Sequence, residues 1–461
     1  MKPILVSTVK EIVKGTLVTG LEDRLILGAR RYLSSIKKPN MLTFVWENEN
    51  PDWHRIKKYS PCTIVTSQFL EKYKSINNCS VILVNNVDEA YWTFVRYYRN
   101  SFNIPVITIT GTSGKTTTKE MLKHILSRYL KITATVRNLN NSRRSLGNLL
   151  RIDDSIQAAV FETAVGKPGD VAYACKHLKP TMGIITNIGT YHLDTCRTVE
   201  NYIKAKAEMV SGLNDNGILI LNSDDEKTKK INLKDFKGRI VYFGVKNKAD
   251  FQASNIKYSN NRMEFLLTFQ NVNYAVSVQG YGDYQVYNTL AAMAVVHELG
   301  IELKEAAKIL TSYENLPHHL EILNGINGSK IIDDTWNYNL SGLTAALKAL
   351  DSIAPGKKKI AMLGGLGKLG EHSTEIINGV GNLIADVGID NLIIIGDTAE
   401  AVANVVKERG GHTKINIFKD SLGLYDLLKE LLDENTVTLV KCYRNEYSKP
   451  LLESLERIIV K

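Results

Sequence analysis

The sequence predicts an α/β chain of three domains. A central P-loop ATPase domain would be built on a wound, mainly parallel sheet, with an α/β domain before it and a Rossmann-like domain after it. Three observations carry this reading. Short β-branched apolar runs alternate with helix-period segments along most of the 461 residues, the pattern of parallel sheets covered by helices. One strand–helix junction holds a glycine loop followed by Lys115-Thr116. A chain of this length also exceeds what one hydrophobic core serves, and roughly two to four domains are expected.

The first domain is assigned to residues 1–98. A short helix is predicted over Val6 to Val13, with strands at Thr16 to Val18, Leu42 to Trp46, Thr63 to Val65 and Val81 to Val84. Val87 to Tyr98 closes the domain as an aromatic-rich helix. No catalytic constellation lies here, and its tryptophans and tyrosines read as packing residues.

Asn103-Ile104-Pro105 marks the junction to a second domain, 99–313. Val106 to Thr110 is an apolar strand, and Met121, Leu122, Ile125, Leu126 and Tyr129 share one helical face. Between them, Gly111-Thr112-Ser113-Gly114-Lys115-Thr116-Thr117 forms a phosphate cradle. Glycines let backbone N–H groups turn inward, the helix N-terminus adds positive potential, Lys115 reaches terminal phosphates, and the Thr116 hydroxyl can hold Mg²⁺. The strict pattern wants glycine where this chain has Ile109, so the context carries the reading more than the pattern does.

Further strands are predicted near Ile132 to Val136, Ala158 to Glu162, Gly183 to Thr186, Gly217 to Leu221 and Ile240 to Phe243. Ligands of wound sheets sit beyond the carboxyl ends of strands. Glu162 ends one strand and Asn187 follows another, so both are expected at the crevice that Lys115 faces. Residues 250–279 read as antiparallel strands, and Tyr284 to Leu299 as a buried helix.

The third domain, 314–461, begins near Leu316-Pro317. Strands at Lys330 to Asp333, Lys359 to Leu363, Asn391 to Ile395, Ile415 to Phe418 and Val437 to Val440 alternate with helical patterns. Gly364-Gly365-Leu366-Gly367 follows a strand; a dinucleotide loop and a plain tight turn both remain open.

Composition narrows the function classes. The 44% hydrophobic and 23% charged residues suit a globular protein, and no apolar run approaches membrane length. The N-terminus lacks the features of a signal peptide. Five cysteines, at 62, 79, 175, 196 and 442, form no C-x-x-C pair, which points to reduced thiols in a cytoplasm. The net charge of +10 comes without a long basic run or an RNA-binding signature, so phosphate-bearing small molecules are expected as partners rather than nucleic acid.

Several phrases recur in a familiar order: ITGTSGKTTTKEML (109–122), NLNN (138–141), FETAVGKPGDVAY (161–173), ITNIGTYHLD (185–194), KAKAEM (204–209), LNSDD (221–225), YNTLAA (287–292), IIDDTWNYN (331–339), LGEHS (369–373) and LVKCYR (439–444). On these the chain resembles the Mur ligase superfamily from about residue 104 onward, most of all its MurF group, which adds D-alanyl-D-alanine to a UDP-N-acetylmuramoyl tripeptide in peptidoglycan synthesis. The resemblance implies an ATP-dependent amide ligase with an acceptor domain, an ATP-binding domain and an amino-acid-binding domain, acting as a monomer. A carboxylate cannot expel oxide; phosphorylation by ATP gives an acyl phosphate, which an amine then attacks. Such phosphoryl transfer needs positioning and charge neutralisation.

By resemblance, Glu162 and His192 serve a second Mg²⁺, Asn288 contacts adenine and Asp334 the ribose. Asn140 and Asn141 fall among the substrate-binding residues, while Lys441 and Arg444 help receive the amine substrate. Lys206 lies where several members carry a lysine converted by CO₂ to a carbamate, with Lys204 an equally placed neighbour. An ammonium about 4 Å from Mg²⁺ would be repelled by about 8 kcal/mol at an effective dielectric near 20, whereas a carbamate would be attracted.

These departures leave the substrate open. The Asp-Ser-Arg triplet that helps hold the UDP-sugar is absent from Arg30-Arg31-Tyr32 to Phe44. His319 replaces an arginine placed near the γ-phosphate, where such a group contributes about 10³–10⁵ in rate. Gly365 and Lys368 replace acidic residues, and Cys442 and Tyr443 replace the glycine and serine of a K-G-S-R phrase. A paralogue acting on a carboxylate without UDP, and a nucleotide-binding scaffold without turnover, stand as alternatives.

Overall fold

A computed structural model of the chain describes residues 1–47, 49–141, 146–336, 340–364, 373–395, 397–420, 422–442 and 449–460, without the side chains of 146, 340, 341, 373, 397–399 and 449–451. Three large α/β sheets are formed, and each draws its strands from one of the sequence-assigned domains.

The first is five-stranded, in the order Thr16–Thr19, Cys79–Leu83, Cys62–Thr66, Met41–Val45, Gly28–Tyr32. Only Thr16–Thr19 runs antiparallel to its neighbour. The strand Gly28–Tyr32 was hidden in the sequence because its Arg30-Arg31 pair breaks any apolar run; an edge strand tolerates this. Helix Val87–Asn100 starts on Asn86, whose side chain accepts the Glu89 N–H at 3.0 Å, a standard N-cap. It buries Tyr91, Trp92, Phe94, Val95 and Tyr98, so the aromatic residues do act as packing groups.

The central sheet has nine strands, in the order Val272–Gln279, Arg262–Phe269, Phe251–Ser259, Arg239–Gly244, Ile218–Asn222, Met182–Ile185, Val106–Thr110, Ala158–Glu162, Ile132–Ala134. Its 251–279 end is antiparallel as predicted, turning at Asn260 and Asn261, both with positive φ. Helix Asp283–Glu298 is buried from Val286 to Val296 apart from Tyr287, the expected all-round apolar helix. The third sheet has six strands, in the order Glu321–Asn324, Lys330–Asp333, Thr436–Lys441, Lys358–Leu363, Asn391–Ile395, Lys414–Phe418. It is parallel except at the first strand, which the sequence reading missed.

By compactness the chain forms two units. The first comprises Met1–Thr108, Leu126–Thr163 and Ala172–Thr181; the second comprises Ile109–Ile125, Ala164–Val171 and Met182–Lys461. One core of the first unit joins Phe44, Phe94 and Val106 to Phe161 and Leu178. In the second, helix Leu340–Ile353 packs its Leu343, Leu347 and Leu350 against Ile332, Ala361 and Leu439 of the third sheet. Among the described residues no helix is long and apolar enough to cross a membrane.

Candidate active site

The glycine loop leaves the strand Val106–Thr110 and enters helix Lys115–Leu126. Two glycines are required by the geometry. Gly111 has φ +149° and a Cβ there would stand 1.8 Å from Thr186 Oγ1; Gly114 has φ +84° and a Cβ would stand 2.2 Å from Asn288 Oδ1. Asn187 clamps the loop: its carbonyl accepts the Thr112 N–H at 3.0 Å, its Oδ1 accepts the Ser113 N–H at 3.1 Å, and its Nδ2 donates to Ser113 O at 3.0 Å. Thr186 Oγ1 donates to Ser113 O at 2.6 Å. Lys115 Nζ donates to the carbonyls of Gly111 at 2.7 Å and Thr112 at 3.0 Å. Thr116 and Thr117 occupy the first helical turn.

Behind the loop, Thr112 Oγ1 lies 3.1 Å from the Tyr202 hydroxyl and accepts the Gly189 N–H at 2.8 Å. Tyr202 and Lys206 share helix Val199–Gly212, and Lys206 Nζ stands 4.7 Å from the Tyr202 ring centre. Lys206 is 1% exposed, whereas Lys204, on the same helix, is exposed. Burial, and then the like charge of Lys115, hold the Lys206 amine well below the usual lysine range. The structure thus separates two lysines that sequence treated as equals. His192 is left-handed (φ 55°, ψ 33°) at the start of the short helix Leu193–Cys196, its ring 4.4 Å from that of Tyr191.

Glu162 belongs to the first unit. It ends the strand Ala158–Glu162 and is 4% exposed. Asn140 Nδ2 donates to Glu162 Oε2 at 3.1 Å, and the Glu162 N–H donates to Thr135 Oγ1. Asn140 is therefore joined to Glu162, while Asn141 is exposed.

Within the second unit one cavity is lined by Ser113, Gly114 and Thr117 of the glycine loop and its helix, by Tyr284 and Asn288, and by His319, Asp334 and Lys441. Asn288 is 5% exposed and its Oδ1 accepts from Thr118 Oγ1 at 3.3 Å. Asp334 follows the strand Lys330–Asp333, and Lys441 ends the adjacent strand; their side chains form a buried ion pair. The Asp334 carboxylate also accepts the Leu320 N–H at 3.3 Å. Two residues expected to serve different substrates thus share one wall. Arg444 lies outside the described residues, as do Gly365, Lys368 and Tyr443.

Sequence reasoning did not single out Tyr202 or Tyr284. A tyrosine one helical turn ahead of Lys206 was the available signal for the first, and Tyr284, one turn before Asn288, could have been placed on the same helix face. The residues present suit a magnesium nucleotide: the loop admits no Cβ at Gly111 or Gly114, and Lys115 and Thr116 supply the cation and hydroxyl such a group requires.

Two protein families match the chain: the Mur ligase middle domain over residues 109–296, and the Mur ligase glutamate ligase domain over residues 319–443. A UDP-N-acetylmuramoyl-tripeptide–D-alanyl-D-alanine ligase of Buchnera aphidicola is 31% identical over 81% of this chain and 80% of its own. The enzyme of that name from Bacillus subtilis is 24% identical over 97% and 98%. Among solved structures, MurF from Acinetobacter baumannii superposes with a TM-score of 0.86 at 24% identity, covering 99% of both chains. MurF ligase from Thermotoga maritima, in complex with ADP, gives 0.79 at 22% identity over 93% and 97%.

Proposed function

Because the chain belongs to the Mur ligase family of ATP-dependent carbon–nitrogen ligases, we propose that it joins D-alanyl-D-alanine to a UDP-N-acetylmuramoyl tripeptide. The observation that carries the nucleotide half of this reading is the cavity running from the glycine loop to the Asp334–Lys441 pair. Phosphates would lie on the N–H groups from Gly114 to Thr117, those of Thr112 and Ser113 being held by Asn187, with Lys115 turning from its own loop carbonyls toward them. Asn288 would meet the base, and Asp334 the ribose.

Bound Mg²⁺ supplies charge neutralisation at the transferring phosphate. Thr116, Glu162 and His192 are assigned to hold magnesium, and Glu162 is assigned to meet Lys115 there. The phosphoryl group moves from ATP to the acceptor carboxylate, releasing ADP. The amine then forms the C–N bond, expels phosphate and gives up a proton. Asn140 orients Glu162 by the hydrogen bond between them, and Asn141, Lys441 and Arg444 are assigned to the two organic substrates. The three-domain division at about residues 98 and 313, a monomeric state and a cytoplasmic location belong to the same reading.

Lys206 is assigned as the carbamylated residue. Only a neutral amine attacks CO₂, losing a proton as the N–C bond forms, and burial favours that neutral form at Lys206; Lys204 is exposed. Isotope-labelled bicarbonate should give a carbamate resonance that Lys206→Arg abolishes and Lys204→Arg retains; the reverse pattern would reject the assignment.

A second reading keeps the chemistry and changes the acceptor to a carboxylate without UDP. It is favoured by Arg31, in the stretch where the triplet is missing, whose guanidinium lies 5.2–5.6 Å from the rings of Tyr32, Trp46, Tyr91 and Trp92. ATP-dependent phosphate release with D-alanyl-D-alanine, measured with a UDP-muramoyl tripeptide and with free tripeptides, separates the two. Tight ATP binding without phosphate release from any pair would leave the scaffold reading.

A further inference from the structure

The cavity lined by Ser113 and Gly114 is also lined by His319, an imidazole where the resemblance implies an arginine. His319 Nδ1 lies 2.8 Å from the Pro317 carbonyl. A carbonyl only accepts, so Nδ1 carries the proton and Nε2 presents a lone pair. Nε2 is buried and meets no hydrogen-bond partner among the described residues, although His319 lines the cavity. Burial, partly opposed by the Pro317 hydrogen bond, keeps the ring neutral by lowering its pKa.

The ring is held where it is by the turn around it. His318 has φ 65° and its Nδ1 lies 2.7 Å from Asp333 Oδ2; Leu320 has φ 51° and donates its N–H to Asp334. Asn315 Nδ2 donates to the His319 carbonyl at 2.8 Å, and the Trp336 ring lies 5.4 Å from that of His319. Left-handed residues on both sides of one side chain are a strain that surrounding contacts must hold. The result is a fixed acceptor rather than a mobile surface imidazole.

A buried acceptor calls for a donor. Phosphate oxygens are themselves acceptors and negatively charged, so they are excluded as partners. The donors a nucleotide offers are its ribose hydroxyls and the amino group of the base. We infer that His319 Nε2 accepts a hydrogen bond from the nucleoside half of the bound nucleotide, making this wall a nucleoside-selecting one in place of a phosphate-stabilising one. The inference rests on the nucleotide reading of the cavity.

Binding of ADP by calorimetry tests it, with the wild-type chain, His319→Phe and His319→Gln, after melting curves establish that each is folded. Three analogues serve as probes: ADP lacking one ribose hydroxyl, ADP lacking the other, and ADP lacking the base amino group. For one analogue the wild type should lose about fivefold or more in affinity. His319→Phe should lose a similar factor for ADP and nothing further for that analogue, and His319→Gln, which restores an acceptor, should recover part of the loss. The analogue that fails to add to His319→Phe names the donor. Independent, additive losses for all three, or unchanged ADP affinity in His319→Phe, would show that Nε2 is satisfied by water and would overturn the inference. Lys115→Ala separates this from the parent reading: if that change leaves ADP binding untouched, the nucleotide reading itself fails.

Discussion

The two ends of the cavity are built by different means. At the loop end the cavity is bounded by a main chain that Asn187 and Thr186 hold in place and that glycines admitting no Cβ make possible. At the opposite end the groups are side chains, His319, Asp334 and Lys441, set by two left-handed turn residues and a buried ion pair. A main-chain site keeps its chemistry whatever the neighbouring side chains are, so it fixes the general reaction. A side-chain site changes its chemistry with one substitution. Main-chain and side-chain construction thus meet in the lining of one cavity.

The largest expected effect tests the loop end. Lys115→Ala should lower phosphate release on the order of 10³-fold, with the fold intact by circular dichroism because the side chain is only half-buried. Gly114→Ala should act with similar force through a different cause, collision with Asn288 and a positive φ. If Gly114→Ala bound ADP normally, the main chain would not be the rigid element described.

At the side-chain end, Lys441→Met leaves the Asp334 carboxylate buried without its cation. Removing one partner of such a pair costs about 3 kcal/mol or more, while replacing both can be nearly neutral. Urea unfolding should show a large loss for Lys441→Met and recovery in Lys441→Met with Asp334→Leu. Equal losses in the single and double variants would mean that the pair is not the unit holding this wall.

The same contrast explains what was legible in the sequence. Glycines, a β-branched strand and Lys-Thr announce a main-chain cradle because each has a local backbone cause. Most strands were placed within a residue or two for the same reason, whereas Gly28–Tyr32 and Glu321–Asn324 were missed because edge strands need no continuous apolar run. The pairing of Asp334 with Lys441 spans more than a hundred residues and depends on strand order, which no local pattern states. Likewise nothing local distinguishes Lys206 from Lys204; only the packing of helix Val199–Gly212 does.

The first unit offers a control. His177 is 2% exposed and packs its ring 4.3 Å from Trp92. Burial, reinforced by Arg96 and Lys176, lowers its pKa to about 4. Above the ordinary value of about 6.5 neither folded nor unfolded chain is protonated there, and the stability is whole. As pH falls below it, the unfolded chain takes a proton that the folded chain refuses, and stability is lost until pH reaches about 4. Between about pH 6.5 and 5 the loss should reach about 2 kcal/mol. His177→Phe should flatten that part of the urea-midpoint profile while leaving ADP affinity at neutral pH unchanged; an unchanged profile would place the acid sensitivity elsewhere.

The smallest effect asks how much the loop end owes to side chains behind it. Tyr202→Phe removes one hydroxyl, 3.1 Å from Thr112 Oγ1, and keeps the ring beside Lys206. Thr112 Oγ1 still accepts the Gly189 N–H, and Asn187 still holds Thr112 and Ser113 through main-chain groups. A neutral hydrogen bond with other partners remaining contributes about 1 kcal/mol, so ADP affinity should fall no more than about fivefold. Thr112→Val removes the acceptor of the Gly189 N–H as well and should weaken binding further. If instead Tyr202→Phe matched Lys115→Ala in its effect on ADP affinity, the loop would depend on its side-chain backing as the far wall does, and the division between the two ends would disappear.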